Sequence, residues 1–219
     1  MKKNEFVQKN LFGVCPFYTT QNLLLGKWIL PILNELKDGV KRFNELKRIF
    51  DISHPVLTQQ LKLLEHEGFI KREIFPEVPP RVEYSLTEIG KSFQPVLNLM
   101  ANFGKSYNDL RNLGESPIYT TQNLLLGKWI LPILNELNGG TKRFNELKRT
   151  FGISHSVLAK QLKFLENEGL INRKVYPEVP PRVEYSLTEI GKSFQPVLDS
   201  IEIWGKNFIE YLKGRDKID

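Results

Sequence analysis

Two copies of a ten-residue segment carry the side chains with the clearest binding chemistry in this sequence. The first copy, Ser53–Lys62, reads SHPVLTQQLK, and the second, Ser154–Lys163, reads SHSVLAKQLK. Leucines recur in both at helical spacing, so each segment is predicted to be a helix whose leucines face a core. The polar side chains on the opposite face could read base edges in a DNA groove through hydrogen bonds.

The candidate base-reading residues are those that remain once the apolar face of each helix is assigned. They are Ser53, His54, Pro55, Thr58, Gln59 and Lys62 in the first copy, and Ser154, His155, Ser156, Ala159, Lys160 and Lys163 in the second. Lys62 is expected to contact a phosphate rather than a base. Because the copies differ at Pro55, Thr58 and Gln59, we expect an imperfect palindrome with a different base preference in each half. The alternative is a solvated surface helix with Ser53 acting only as its cap.

Cations surround each of these predicted helices. They are Lys41, Arg42, Lys47, Arg48, Lys71, Arg72 and Arg81 in the first copy, and Lys142, Arg143, Lys148, Arg149, Arg173, Lys174 and Arg182 in the second. Cations so placed could hold phosphates, which would make DNA binding strongly dependent on salt. Two alternatives stay open: the helical cations could form a solvated face, and Arg72 and Arg81 could pair with neighbouring glutamates.

Cys15 is the one residue with evident reactive chemistry, and it is the only cysteine. It precedes Pro16 at the predicted start of a helix, where backbone N–H groups and the helix dipole favour a thiolate. The second copy has Ser116 here, which is the better cap. Cys15 is therefore either an oxidant-sensing thiol or a small unreactive apolar residue. Without a second cysteine, oxidation would give a mixed disulfide with a small thiol or a bridge between chains.

The chain that positions these residues contains two consecutive copies of one domain. Residues 16–98 align without gaps on residues 117–199, and 17 of the 83 positions differ. Each copy is large enough for its own core, which predicts a first domain over residues 1–112 and a second over 113–219. The join, Asp109–Pro117, is short and therefore holds the two domains close together.

Within each copy the pattern predicts four helices, a β-hairpin and a final helix. In the first copy we expect helices over 16–25, 27–36, 42–50 and from Ser53 to Gly68, strands around Ile70–Phe75 and Val82–Leu86 joined by PEVPP, and one long helix from Thr87. Pro31 is expected to kink the second helix. The fold class is thus mainly α with small β-hairpins (α+β), as two tandem winged helix-turn-helix domains.

The last helix of each copy carries a long apolar stripe, which we interpret as an association surface. Its members are Val96, Leu97, Met100, Phe103, Tyr107 and Leu110 in the first copy, and Val197, Leu198, Ile201, Trp204, Phe208 and Leu212 in the second. Trp28 and Trp129 are interpreted as core residues.

Composition narrows the class of protein. Thirty-one Lys and Arg against 25 Asp and Glu give a net charge of +6, which suggests a polyanionic partner. No apolar run is long enough to span a bilayer and no signal peptide is evident, so we expect a cytoplasmic protein with no membrane partner. Three histidines without clustered carboxylates argue against a metal site. No motif indicates a cofactor or an enzymatic reaction.

Several segments together resemble the HxlR-type family of bacterial and archaeal transcription regulators. They are CPF, LLLGKWILPIL, KRFNELKR, SHPVLTQQLKLLEHEG and PEVPPRVEYSLTEIG, and they run through nearly all of each copy. The resemblance implies winged-helix proteins that bind double-stranded operator DNA and dimerise through their terminal helices. It also implies, for some members, sensing of oxidants or electrophiles through a cysteine near the first helix.

This chain departs from that family pattern by carrying two fused copies. The resemblance therefore implies an intramolecular pseudo-dimer, and pairing of two such chains stays open. We expect a repressor that responds to an oxidant through Cys15 or to a small-molecule effector. The alternative is a winged-helix scaffold that binds protein and has no DNA role.

Overall fold

The computed structural model describes residues 14–78, 80–179 and 181–215. The first repeat forms α1 (Pro16–Leu23), α2 (Ile29–Leu36), β1 (Lys41–Arg42), α3 (Phe43–Phe50), α4 (His54–His66), β2 (Ile70–Phe75), β3 (Arg81–Leu86), α5 (Glu88–Ser92) and α6 (Gln94–Arg111). The second forms α7 (Pro117–Leu124), α8 (Ile130–Asn138), β4 (Lys142–Arg143), α9 (Phe144–Phe151), α10 (His155–Asn167), β5 (Ile171–Tyr176), β6 (Arg182–Leu187), α11 (Glu189–Lys192) and α12 (Gln195–Arg215). This order confirms two tandem winged helix-turn-helix folds, mainly α with small β-hairpins.

Each wing is a three-stranded antiparallel sheet rather than a simple hairpin. The strand order is β1-β3-β2 in the first repeat and β4-β6-β5 in the second. Lys41 pairs with Tyr84 and Arg42 with Glu83. The prediction that Arg42 begins a helix was therefore wrong: it lies in β1 and is the N-cap of α3. A two-residue strand is too short to leave a period in the sequence.

The leucines of α4 hold that helix on the core as predicted. Leu57, Leu61 and Leu64 are buried, and Leu46 of α3 is buried with them. Their counterparts in α9 and α10 are buried as well: Leu147, Leu158, Leu162 and Leu165. Burial of a leucine side chain contributes roughly 2 kcal/mol to folding. The opposite face of each helix is consequently left for solvent or a partner.

The second helix begins later than predicted, and this removes the expected kink. It starts at Ile29 rather than Lys27, so Pro31 lies in its first turn. The N–H groups of a first turn have no partner within the helix, so a proline there breaks no hydrogen bond. Trp28 is the N-cap and is only half-buried, whereas Trp129 is 2% exposed. The core interpretation therefore holds fully for Trp129 alone.

The predicted long helix from Thr87 is two helices. Thr87 Oγ1 accepts a hydrogen bond from Gly90 N at 3.1 Å and caps α5. The chain then breaks at Phe93, and α6 begins with Pro95 in its first turn. Most of the predicted apolar stripe is buried, but Leu110 is 67% exposed. Sequence periodicity carries through such a break because both segments share the helical repeat.

The side chains of the wing strands are less buried than their alternating pattern suggested. Ile70 is buried, whereas Ile74 is 57% exposed. β2 is the edge strand of its sheet, and its distal half extends beyond the helical core. On β3, Tyr84 and Leu86 face the core. Each wing therefore projects from the domain, with its tip away from the hydrophobic interior.

The two compact units of the structure do not follow the two repeats. Among the described residues, one unit comprises 14–25 and 124–215, and the other comprises 26–123. Each unit thus takes its first helix from one repeat and its remaining elements from the other. In the unit Gly26–Asn123, Thr121 Oγ1 of α7 donates to Met100 O of α6 at 2.7 Å. In the other unit, Gly205 of α12 lies against Pro16 of α1.

The segment between α6 and α7 is shorter than the predicted join, because Asp109, Leu110 and Arg111 are helical. It is tied back to both helices. Asn108 Nδ2 donates to Glu115 O at 2.7 Å, and Thr120 Oγ1 donates to Asn108 Oδ1 at 2.7 Å. A side chain on each helix therefore fixes the path by which the chain enters α7.

Candidate nucleic-acid interface

The exposed face of α4 presents the side chains that were predicted to read DNA. Ser53, His54, Pro55, Gln59 and Lys62 are exposed, and Thr58 is half-buried. In α10 the exposed members are His155, Ser156, Lys160 and Lys163, whereas Ser154 and Ala159 are half-buried. The three buried leucines of each helix fix this orientation. Each helix therefore presents one continuous polar face.

The start of this polar face is held differently in the two repeats. Ser53 and Ser154 are both N-caps, but only Ser154 Oγ accepts a hydrogen bond from the helix, from Val157 N at 3.3 Å. The side-chain cap predicted for Ser53 is therefore not made. Instead, His54 Nδ1 lies 3.3 Å from Thr58 Oγ1. Ala159 replaces Thr58 in the second repeat and cannot form this bond.

Both histidines pack on the preceding helix. The His54 ring lies 4.6 Å from the Phe43 ring, and the His155 ring lies 4.6 Å from the Phe144 ring. These contacts restrict the rotamers of the imidazoles, so their polar edges are directed before any partner binds. A side chain ordered in advance loses less conformational entropy on binding.

A groove lies between the polar helix face and the wing in each repeat. Its volume is about 960 Å³ in the first repeat and about 1000 Å³ in the second. In the first repeat the lining includes Arg48 of α3, Thr58 and Lys62 of α4, and Arg72 and Arg81 of the wing. Three separate elements thus direct cations into one concave surface. An extended polyanion such as a phosphate backbone fits such a groove.

The predicted DNA-binding cations of the helix-turn-helix and the wing fall into two groups. One group has neither a carboxylate nor an aromatic ring as a partner within the described parts of the chain, is exposed, and is called here the unpaired cations. The unpaired cations are Lys47, Arg48, Lys62 and Arg72 in the first repeat, and Lys148, Arg149, Lys160 and Arg173 in the second. Their charge is available to a ligand without breaking an ion pair.

The other group is held by carboxylates or, for Lys174, by an aromatic ring. Lys41 Nζ lies 2.7 Å from Glu35 Oε1, and Lys142 Nζ lies 2.8 Å from Glu136 Oε1. These hydrogen bonds raise the pKa of each lysine, although desolvation opposes the change. Weaker or exposed pairs join Arg42 to Glu83, Arg143 to Glu184, Lys71 to Glu73, and Lys163 to Glu166. Lys174 lies over the Tyr176 ring, 4.9 Å from its centroid.

The wing arginines are the most strongly engaged of these cations. Arg81 contacts Glu77 at 3.0 Å and Glu83 at 2.9 Å, and it stacks 4.1 Å from the Phe75 ring centroid. Arg182 makes the same contacts with Glu178, Glu184 and the Tyr176 ring. The hydrogen bond to Glu178 raises the pKa of Arg182 above its ordinary value. Both guanidinium groups therefore stabilise the wing through these contacts, and both also line the groove.

Glu45 is a positioning residue that sequence reasoning missed. Its Oε2 accepts a hydrogen bond from Arg42 N at 2.6 Å, and Glu146 does the same for Arg143 N at 2.6 Å. These bonds fix the turn from the short strand into α3 or α9. The signal was available, because a glutamate three residues after an N-cap position is the second half of a capping box.

Cys15 lies where the sequence placed it, at the N-cap of α1. Its side chain makes no capping hydrogen bond, and the thiol is free and half-buried. Thr19 N donates to Cys15 O at 2.9 Å, as Thr120 N does to Ser116 O at 3.0 Å. The cysteine thus occupies the same backbone position as its serine counterpart.

No helix among the described residues is long and apolar enough to cross a membrane. No group of three or more His, Cys, Asp or Glu side chains in residues 14–78, 80–179 and 181–215 could hold a metal ion.

Known proteins match this chain over about the length of one repeat. A relative from Bacillus subtilis, the uncharacterized HTH-type transcriptional regulator YdeP, is 46% identical over 99 residues, which is 45% of this chain and 77% of YdeP. An uncharacterized HTH-type transcriptional regulator of Methanothermobacter thermautotrophicus is 46% identical over 104 residues, which is 47% of this chain and 79% of that protein. The structure of the redox regulator HypR in its oxidized form covers 42% of this chain and 96% of its own, at 43% identity and a TM-score of 0.40.

The family comparison covers most of the chain. The model of the HxlR-like helix-turn-helix family matches twice, over residues 23–112 and over residues 124–213. Each match contains one polar recognition-type helix, one wing and one groove. The chain belongs to the HxlR-like helix-turn-helix family, with two copies of the family domain in one polypeptide.

Proposed function

We propose that this protein is a DNA-binding transcriptional regulator that reads one imperfect palindrome with two unlike recognition helices, α4 and α10. The observation that carries the proposal is the groove in each repeat, where unpaired cations adjoin an exposed polar helix face: Arg48, Lys62 and Arg72 in the first groove, and Arg149 and Arg173 in the second. Family membership supports the same function. The two helices would enter successive major grooves about one turn of DNA apart, roughly 34 Å.

Within each groove, one set of residues would bind phosphates and another would read bases. Arg48, Lys62 and Arg72 would bind phosphates along one strand and fix the register of α4 on the duplex. His54, Pro55 and Gln59 would then face the base edges. Gln59 can donate to and accept from an adenine, whereas Lys160 at the same position donates only, which suits guanine. This difference is the chemical basis of unequal half-sites.

Repression by occlusion is the mode of action we propose. A chain that covers two half-sites with fused domains blocks a promoter without needing a second molecule. Fusion also fixes one copy of each recognition helix per complex, so the two half-sites are bound in a defined order. The repeats along the chain, residues 1–112 and 113–219, would act as an intramolecular pseudo-dimer.

Cys15 is the proposed point of redox control. A peroxide would oxidise its thiolate to a sulfenic acid, with the peroxide reduced to an alcohol or water. Condensation with a low-molecular-weight thiol would then release water and leave a mixed disulfide at the start of α1. The Cys15 thiol is half-buried and makes no capping hydrogen bond, which supports access by such reagents. The added group would favour a conformation with lower DNA affinity.

The experiment that tests the DNA function is selection of operator sequences from a random pool with the full-length protein. We expect two unlike half-sites, salt-sensitive binding, and a large loss of affinity in the double variant Lys62→Ala/Lys163→Ala. Failure to enrich any sequence would refute sequence-specific binding and favour the protein-interaction scaffold. A Cys15→Ser protein that still loses its operator on peroxide treatment would refute the redox step alone.

A further inference from the structure

Each first helix lies in the compact unit that holds the recognition helix of the other repeat. α1 belongs with residues 124–219, which include α10, and α7 belongs with residues 26–123, which include α4. We propose that Gln21 and Gln122 are positioning residues, through which α1 orients recognition helix α10 and α7 orients recognition helix α4. The inference rests on the proposed function, because it concerns the same two recognition helices.

Gln21 joins α1 to the start of α8. Its side chain is fully buried, its Oε1 accepts a hydrogen bond from Leu131 N at 2.9 Å, and its Nε2 donates to Leu125 O at 2.6 Å. Leu131 is in the first turn of α8, where a backbone N–H has no partner within the helix. Trp129, the N-cap of α8, supplies no side-chain bond. A residue of the first repeat therefore caps a helix of the second.

The other unit repeats this arrangement. Gln122 of α7 is also fully buried, and its Oε1 accepts from Leu30 N at 3.0 Å in the first turn of α2. The N-cap Trp28 again makes no side-chain cap bond. The same contact thus forms in both units, as expected because both repeats contain the segment TTQNLLLGKWILPIL.

Aromatic contacts extend from the same first helix toward the helix-turn-helix. The Tyr18 ring of α1 lies 5.2 Å from the Trp129 ring, which lies 5.6 Å from the Phe151 ring of α9. α9 is the helix that precedes α10 in the second repeat. In the other unit, Tyr119 of α7 lies 5.1 Å from Trp28, which lies 5.7 Å from Phe50 of α3.

The recognition helix itself rests on the segment that Gln21 holds. A Cβ atom on Gly127 would lie 2.2 Å from Gln161 Oε1, so the α10 side chain lies directly on the Gly127 backbone. Gln161 Oε1 is buried and has no hydrogen-bond partner in the described structure. Gly127 and Leu131 flank the start of α8, so a shift of that start is transmitted to α10. Gly26 and Gln60 make the equivalent contact with α4.

The consequence is that the first helix of each repeat influences the recognition helix of the other repeat. A perturbation of α1 should alter the half-site read by α10, and a perturbation of α7 should alter the half-site read by α4. Cys15 occupies the N-cap position of α1 and lies in the same compact unit as α10. A modification that displaces α1 would consequently act first on the second repeat's half-site.

Hydrogen exchange on the full-length protein without DNA tests the inference directly. We expect Gln21→Leu to raise amide exchange at least about tenfold in residues 155–167 while residues 54–66 keep wild-type rates; Gln122→Leu should do the reverse. Asn22→Ala is the matched control on α1, since Asn22 Nδ2 donates to Tyr18 O of the same helix at 2.8 Å. Equal effects on both segments, or an effect on the segment of the opposite unit alone, would overturn the proposal.

A footprint on the selected operator provides the functional readout. The half-site of α10 is identified as the one whose protection falls in Lys160→Ala. Gln21→Leu should weaken protection of that half by about tenfold and leave the other half unchanged. If Gln21→Leu unfolds the protein, Gln21→Glu, which keeps an acceptor oxygen, is measured instead. The absence of any operator would count against the proposed function, whereas uniform loss at both halves would count against this coupling.

Discussion

Replacing Arg48 by alanine should reduce the salt dependence of DNA binding by about one released counterion. Arg48 is exposed, lines the groove between α4 and the wing, and has no carboxylate partner among the described residues. The unpaired cations of both repeats number about eight. If each of them except Lys160, which is proposed to read a base, neutralises one phosphate, the slope of log Kobs against log salt is about −6, since each contact contributes about −0.9. Raising the salt from about 50 to about 200 mM would then lower affinity about 10⁴-fold.

The assay is fluorescence anisotropy on the selected operator at five or more salt concentrations. Arg48→Ala should change the slope by about 0.9, and Arg48→Ala with Arg149→Ala by about 1.8. Lys206→Ala is the control for net charge, because Lys206 lies on α12, contacts Glu202 at 2.6 Å and does not line either groove. It should leave the slope unchanged.

Arg81→Ala distinguishes an available charge from one that is already engaged. Arg81 contacts Glu77 and Glu83, so it should contribute less to counterion release than Arg48 does. The reasoning would be refuted if Arg81→Ala changed the slope as much as Arg48→Ala, or if Lys206→Ala changed it by a similar amount. The first result would mean that the ion pairs of Arg81 do not reduce its contribution, and the second would mean that net charge determines salt dependence.

Three further predictions concern stability, specificity and pH. Leu61→Ala should lower the free energy of unfolding by about 2–5 kcal/mol, because Leu61 is 1% exposed, whereas Leu63→Ala at 38% exposure should cost less than about 1 kcal/mol in urea denaturation. The triple variant Pro55→Ser/Thr58→Ala/Gln59→Lys should select two matching half-sites, and persistence of the original pair would contradict the assignment of these residues. Burial, and then the nearby Glu115, raise the pKa of Tyr119. The native state therefore resists loss of this proton, so stability should fall as pH rises above about 10, and the fall should be smaller in Tyr119→Phe thermal melts.

The local elements of this protein were largely predictable because their signals are local. The spacing of Leu57, Leu61 and Leu64 predicted both α4 and its exposed face, and PEVPP predicted the end of the wing. Where the prediction failed, the deciding interaction was short or non-local. β1 has two residues and forms only because β3 pairs with it. The break before α6 depends on Phe93 and Pro95, which an apolar stripe does not reveal.

The residue types of the candidate interface were predictable from the sequence, but the ion pairs among them were not. The sequence placed fourteen cations near α4 and α10 and left their partners open. The folded wing pairs Arg81 with Glu77 and Glu83, and leaves Arg48, Lys62 and Arg72 without carboxylate partners in the described regions. Distances between side chains on separate elements are set by packing, so no spacing rule along the chain could separate the two groups.

The sequence by itself determined that one winged-helix domain occurs twice, which residues of each copy could face DNA, and where the copies differ. It did so because repeats, helical periodicity and turn residues are written along the chain. Only the tertiary structure decided which first helix joins which domain. Two repeats about four-fifths identical offer nearly the same surface to either α1 or α7. The choice therefore depends on where the short segments after α1 and α7 allow each helix to pack, and on buried contacts such as that of Gln21 with Leu131.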